Sequence, residues 1–227
     1  ALLTLIPAMP IPLTPFTWTV AAPFYTLTGF IFGPIAGSIS AFVASLIQAA
    51  IAPWSAILSF GTAFVVLPYA LIGGGIIRGD WKLPTAVMVF VNVAFILLAL
   101  SVVNFAATPQ QWWWIIEFML ALYIWPIAIC LAAPWLGKWL RSWDPKKMSP
   151  ALFLASLAAA LGVDCWGGGL FIAVYKYPLS ILPIWIIPTI VPRVIQALST
   201  AIIGVPLLLS LKRAGRLVFA HWRESAE

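Results

Sequence analysis

Ten of the twelve Lys and Arg residues fall in three segments, 78–82, 138–147 and 212–223, and the chain outside them is apolar over long stretches, four of which exceed 20 residues. About 20 consecutive apolar residues let a helix cross a hydrocarbon core roughly 30 Å thick, and in lipid only helices or closed barrels leave no backbone polar group unpaired. The pattern predicts an all-α, polytopic transmembrane helix bundle. Only 8% of the residues are charged, against about 25% in a soluble domain. No soluble domain is left over, and residues 1–227 read as a single integral membrane domain.

The net charge of +6 does not point to nucleic acid, because the basic residues are divided among loops and one tail, as positive-inside anchoring requires. The first residues lack a basic n-region and a small-residue cleavage site, so the spans themselves are expected to direct insertion. Cys130 and Cys165 both lie in apolar spans, and the only histidine, His221, lies in the tail. They make no disulfide or zinc pattern, and no metal, cofactor or catalytic residue is expected.

The most patterned stretch is 22–49, APFYTLTGFIFGPIAGSISAFVASLIQA. Gly33, Gly37, Ala41, Ser45 and Ala49 recur every four residues and so share one helix face, where a second helix can approach closely. Proline starts a helix but breaks a continuing one, so the Gly33-Pro34 step is expected to be a turn or sharp kink. Length agrees, since one helix over 20–50 would run about 46 Å. A break makes a short descending segment and an ascending, small-faced helix.

In order, residues 1–9 read as the end of a first helix, a stub too short to span, and residues 11–18, IPLTPFTW, as an extended external loop. The spans that follow are 22–49, broken at Gly33-Pro34, then 55–77, 84–107, 112–139, 150–174 and 182–211, about seven in all. Residues 1–78 form an N-terminal helical part, 84–141 a helical hairpin, and 150–212 a C-terminal hairpin. The basic segments alternate with nearly neutral turns near Pro53, Pro109 and Tyr175, which places every basic segment and the C-terminus in the cytoplasm of a multi-pass cell-membrane protein.

These residues resemble a known family. Ile11-Pro12-Leu13-Thr14-Pro15-Phe16, followed by Gly29-Phe30-Ile31-Phe32-Gly33-Pro34-Ile35-Ala36-Gly37, is similar to the Pro-rich external loop and the gly-x-x-x-gly-pro-x-x-gly run of S-components, the membrane-embedded substrate-binding components of energy-coupling factor vitamin transporters. The last span, from Ile186-Ile187-Pro188 through Arg193 to Lys212-Arg213, resembles the family's last helix. The resemblance covers about a third of the chain and implies an energising membrane subunit and ATPases as partners. Such components usually have six helices, where this chain reads as seven spans and a stub. Their first helix docks the energising subunit through an alanine-x-x-x-alanine face, a spacing that residues 1–9 lack.

Asp164 and Arg193 are the sharpest polar pair, each about 13 Å deep on adjacent antiparallel spans. A charge at depth costs at least about 2.5 kcal/mol on insertion scales, so a partner or a water-filled cavity is expected. The pair either pins the hairpin or lines a polar cavity. Glu117, about 8 Å into its span, faces the same cavity or reaches the interface. Trp166, two residues from Asp164, offers a planar wall for an aromatic ligand, and Gly167-Gly168-Gly169 removes side chains where a ligand or backbone could approach. Gln196 supplies a neutral hydrogen-bonding group, and Trp18 lies at the external side. Most other tryptophans, including Trp112, Trp113, Trp114 and Trp185, suit an interfacial belt.

The expected function is a membrane-embedded substrate-binding subunit of a micronutrient importer, not an enzyme. Its small-molecule ligand, zwitterionic or aromatic, would be held by Asp164, Arg193, Glu117, Trp166, Gln196 and Trp18. The alternatives are a structural or assembly subunit of a membrane complex and, less favoured, an intramembrane enzyme. Against the last, Cys165 lies about 100° round the helix from Asp164, so the two do not face one another.

Overall fold

In the computed structural model, which describes residues 7–10, 17–19, 21–56, 58–102 and 109–214, the chain is an all-α bundle with one short antiparallel ladder near its start. Strands β1 (Pro7–Pro10) and β2 (Thr17–Thr19) pair as Pro7 with Thr19 and Pro10 with Thr17. The expectation that residues 1–9 close a first helix therefore fails at Pro7 to Met9, and residues 1–6 lie outside the described residues. Two prolines within four residues remove amide donors that a helix needs, whereas an edge strand tolerates them. Most of the 11–18 loop also lies outside the described residues.

The Gly33-Pro34 break is present. Helix α1 (Ala22–Phe32) stops at Gly33, whose φ of 82° and ψ of 178° belong to a region almost reserved for glycine, and Pro34 then opens α2 (Pro34–Ile51). The small stripe of α2 faces inward. Gly37, Ala41, Ser45 and Ala49 are buried, while Ile35, Ile39, Val43, Ile47 and Ile51, also four apart, are exposed on the opposite side. Thr28 Oγ1 donates to the carbonyls of Tyr25 (2.7 Å) and Gly37 (3.2 Å), tying α1 to α2.

Helix α3 (Thr62–Val65) leads into α4 (Leu67–Arg78), and α5 (Lys82–Leu100) returns. The 112–139 segment is not one helix but three, α6 (Pro109–Leu122), α7 (Pro126–Leu131) and α8 (Ala133–Arg141), with Pro126 and Pro134 at the first turns of the last two. Residues 103–108, the end of the expected 84–107 span, lie outside the described residues. Helices α9 (Pro145–Tyr175) and α10 (Leu182–Arg213) complete the chain. Asp144 caps α9 by accepting from the Lys146 amide at 3.0 Å.

Among the described residues six helical segments are long and apolar enough to cross a membrane. The expected count of about seven is reduced because α1 has only 11 residues, about 16 Å of rise. Such a helix enters a bilayer without crossing it. Helix α9 lies at the centre and is buried on nearly every side from Ala155 to Val163, as expected of a helix that is apolar all round. The described parts of the three basic segments meet at one end of the bundle. Arg141 Nη1 donates to the Arg78 carbonyl at 3.4 Å, and Lys212 Nζ sits 4.2 Å from the Trp143 ring centroid.

Candidate functional site

At the opposite end from the basic cluster the helices part around a cavity of about 160 Å³. Its residues come from the start of α1 and α4, from α3 and α6, from the last turns of α9, and from the first turns of α10. Tyr25, Tyr69, Phe95, Phe118, Tyr123, Phe171 and Trp185 make the walls. The aromatic wall is itself packed edge to face, with Phe95 and Phe118 ring centroids 5.5 and 5.4 Å from Tyr123. Tyr123 follows the end of α6, where its carbonyl accepts from Asn92 Nδ2 at 3.3 Å.

Asp164 and Arg193 lie together at the cavity edge. Arg193 Nε donates to Asp164 Oδ2 at 2.5 Å, and Nη2 donates to Oδ1, so the contact is bidentate. Arg193 Nη1 donates to Tyr69 Oη at 2.9 Å and to Gln196 Oε1 at 2.6 Å. Four of the five guanidinium hydrogens are accounted for in this way. A desolvated pair is stable only when such bonds occupy its remaining hydrogens and lone pairs. Arg193 is 5% exposed and Asp164 13%, so the carboxylate is the more accessible member, and each of its oxygens retains a lone pair.

The polar groups continue outward from the pair. Tyr69 Oη donates to Gln196 Oε1 at 3.2 Å, and Gln196 Nε2 donates to the Ala22 carbonyl at 3.2 Å. The Tyr25 ring stacks on that of Tyr69 at 6.1 Å, and Tyr25 Oη donates to Gln48 Oε1. Gln48 Nε2 donates to Ser55 Oγ at 2.8 Å, which donates in turn to the Ala52 carbonyl at 2.8 Å. Five separate elements are thus joined by side-chain contacts around one cavity. Strand β2 lies beside the Pro53–Ser55 turn that carries Ser55.

The expected site residues divide. Asp164 and Arg193 are brought together and line the cavity, and Gln196 supports Arg193 from α10. Glu117 does not join them. It is exposed on the outside of α6, because its neighbour Phe118, about 100° round the helix, takes the inward position. Trp166 is also displaced. Two residues place it about 200° from Asp164, where its Nε1 donates to the Phe64 carbonyl at 3.2 Å and its ring lies 5.9 Å from Phe90. It lines a separate apolar groove with Leu67, Leu71 and Val87. Trp18 lies in β2, and its side chain is outside the described part of the structure.

Tyr25, Tyr69, Tyr123, Gln48, Ser55 and Trp185 are site residues that the sequence did not single out as such. A signal was available for Tyr69 and Tyr123. Each is a phenol inside an apolar segment, where its hydroxyl needs a partner. Comparison of the chain with protein-family models, with curated proteins and with solved structures finds no match.

Proposed function

We propose that the chain is the membrane-embedded substrate-binding subunit of a micronutrient importer, with the ligand held in the aromatic-walled cavity that ends on the Asp164–Arg193 pair. That cavity is the observation that supports the reading most strongly, since small-molecule sites are concave, mostly apolar and fitted with a few convergent polar groups. The six membrane-length helical segments and the Gly33-Pro34 break agree with the S-component resemblance. On the positive-inside rule the basic end and the C-terminus are cytoplasmic, which puts the cavity in the external half. Energy would come from a separate membrane subunit and its ATPases.

Purified protein titrated with a panel of vitamins and amino acids tests this. A bound compound is expected to change tryptophan fluorescence through Trp185 and to raise the unfolding midpoint, by about 2.7 kcal/mol of stabilisation at a hundredfold excess over Kd. Gly168→Leu supplies the control. A Cβ at Gly168 would sit 3.7 Å from the Phe95 ring and 3.9 Å from Tyr123 Oη, ordinary contacts. The longer side chain then fills the cavity while the fold persists. Loss of the response in Gly168→Leu supports the reading. A protein that responds to no compound in the panel is better described as an assembly subunit whose polar residues only join helices.

A further inference from the structure

The cavity carries no net charge among its described residues. Asp164 and Arg193 satisfy one another, and the other lining residues are aliphatic, aromatic, hydroxyl, amide or glycine. An ion entering such a site gives up its hydration and meets no free counter-charge, a cost of several kcal/mol. Size narrows the class further. A volume of about 160 Å³ compares with the roughly 150 Å³ cavity that takes benzene, a match to a single ring.

Two polar groups at the wall are incompletely used. Trp185 lines the cavity between Phe171 and Tyr177, with ring centroids 5.7 and 5.8 Å away, and its Nε1, enclosed by protein and closed off from the cavity space, has no hydrogen-bond partner among the described residues. A buried indole N–H ordinarily finds an acceptor. The Asp164 carboxylate has lone pairs left after Arg193 and can accept from a donor.

We propose that the ligand is an uncharged, single-ring heteroaromatic compound bearing both a hydrogen-bond acceptor, met by the Trp185 indole N–H as the ring turns toward the cavity, and a donor, met by the Asp164 carboxylate. The assignment rests on reading this cavity as the binding site. It replaces a zwitterion, the other class that a mixed acidic and basic lining suggests, because the two charges are already spent on each other. The ring would lie among Tyr25, Tyr69, Phe171 and Trp185, and Gly168 would allow close approach to α9.

The test measures affinity by calorimetry on the purified full chain. The probes are pyridine-3-carboxamide, 4-aminopyrimidine and pyrimidine-2,4-dione, each beside a charged relative: pyridine-3-carboxylate, pyrimidine-4-carboxylate and the 6-carboxylate of the dione. The cation 1-methylpyridinium-3-carboxamide, the zwitterion phenylalanine and the two-ring quinoline-3-carboxamide complete the set. At least one neutral single-ring compound is expected to bind ten times or more tightly than its charged relative and than the two-ring amide. Trp185→Phe, which keeps a ring but removes the donor, is expected to weaken that compound about tenfold, as loss of one buried hydrogen bond does. Preference for a charged, zwitterionic or two-ring compound overturns the inference and leaves the binding-subunit reading standing. An unchanged affinity in Trp185→Phe overturns the assigned contact. Silence from this set and from the vitamin and amino-acid panel overturns both the inference and the reading beneath it.

Discussion

Asp164→Ala is expected to destabilise the protein by about 3–5 kcal/mol, the loss seen when one partner of a buried ion pair is removed. Arg193 would remain 5% exposed, bonded to Tyr69 and Gln196 but without the Asp164 carboxylate, at a depth where lipid and apolar side chains offer no replacement. Water entering through the cavity would recover part of that loss. Arg193→Ala is expected to cost a similar amount, from the carboxylate left behind. The double variant Asp164→Asn with Arg193→Gln should recover most of it, since two neutral amides can bond to each other and to Tyr69. Thermal unfolding in detergent of Asp164→Asn, of Arg193→Gln and of the double variant closes the cycle, and additive losses would mean that the pair is not coupled. The double variant also bears on function. If it folds and still binds ligand at full strength, the pair only holds α9 to α10, and the cavity loses its polar floor as an argument for binding.

The second large effect is expected at the junction of α1, α2 and α4. Gly33→Ala places a Cβ at φ 82° and ψ 178°, a region costing about 1–3 kcal/mol for a residue other than glycine. Gly74→Ala acts on the same junction from the other side, with its Cβ 2.4 Å from the Pro34 nitrogen and 2.6 Å from the Pro34 Cα. Those atoms are backbone and cannot rotate away, so the helices must separate, at about 1–3 kcal/mol or more. The two changes share one contact and should not add. Unfolding midpoints in detergent measure both, with Gly168→Ala as the reference. That change adds a methyl in ordinary contact and should raise stability by up to about 1 kcal/mol through helix propensity. If Gly74→Ala matched Gly168→Ala, the close approach of α4 to the Gly33-Pro34 turn would be refuted.

Particular residues mark what was readable from the chain alone. The break at Gly33-Pro34, the inward small stripe of α2, and the meeting of Asp164 with Arg193 all follow from spacing, because each involves one helix or one antiparallel hairpin whose register is set by its turn. The seventh span did not follow. Apolar composition marks a segment as membrane-compatible, but whether it crosses depends on where the helix ends, and α1 ends after 11 residues. Glu117, for which the cavity and the interface were both open, is exposed, and Trp166 faces a groove apart from the pair, for a related reason. Depth along a helix is computable at 1.5 Å per residue, whereas rotation about its axis is chosen by packing. Phe118 took the inward face of α6, and Trp166 turned to the groove beside α4 and α5.

From its residues alone the chain is legible as a helical membrane bundle with two charged side chains at depth that need a partner or water. Those conclusions rest on the cost of moving charge and unpaired backbone into hydrocarbon, a property of residues rather than of their arrangement. The cavity was decided only by the tertiary structure. Tyr25, Tyr69, Tyr123 and Trp185 come from four separate helical regions, and no local pattern links them. Their common surface exists because α9 is buried at the centre while the helices around it part at the end away from the basic cluster, leaving aromatic side chains around the Asp164–Arg193 pair.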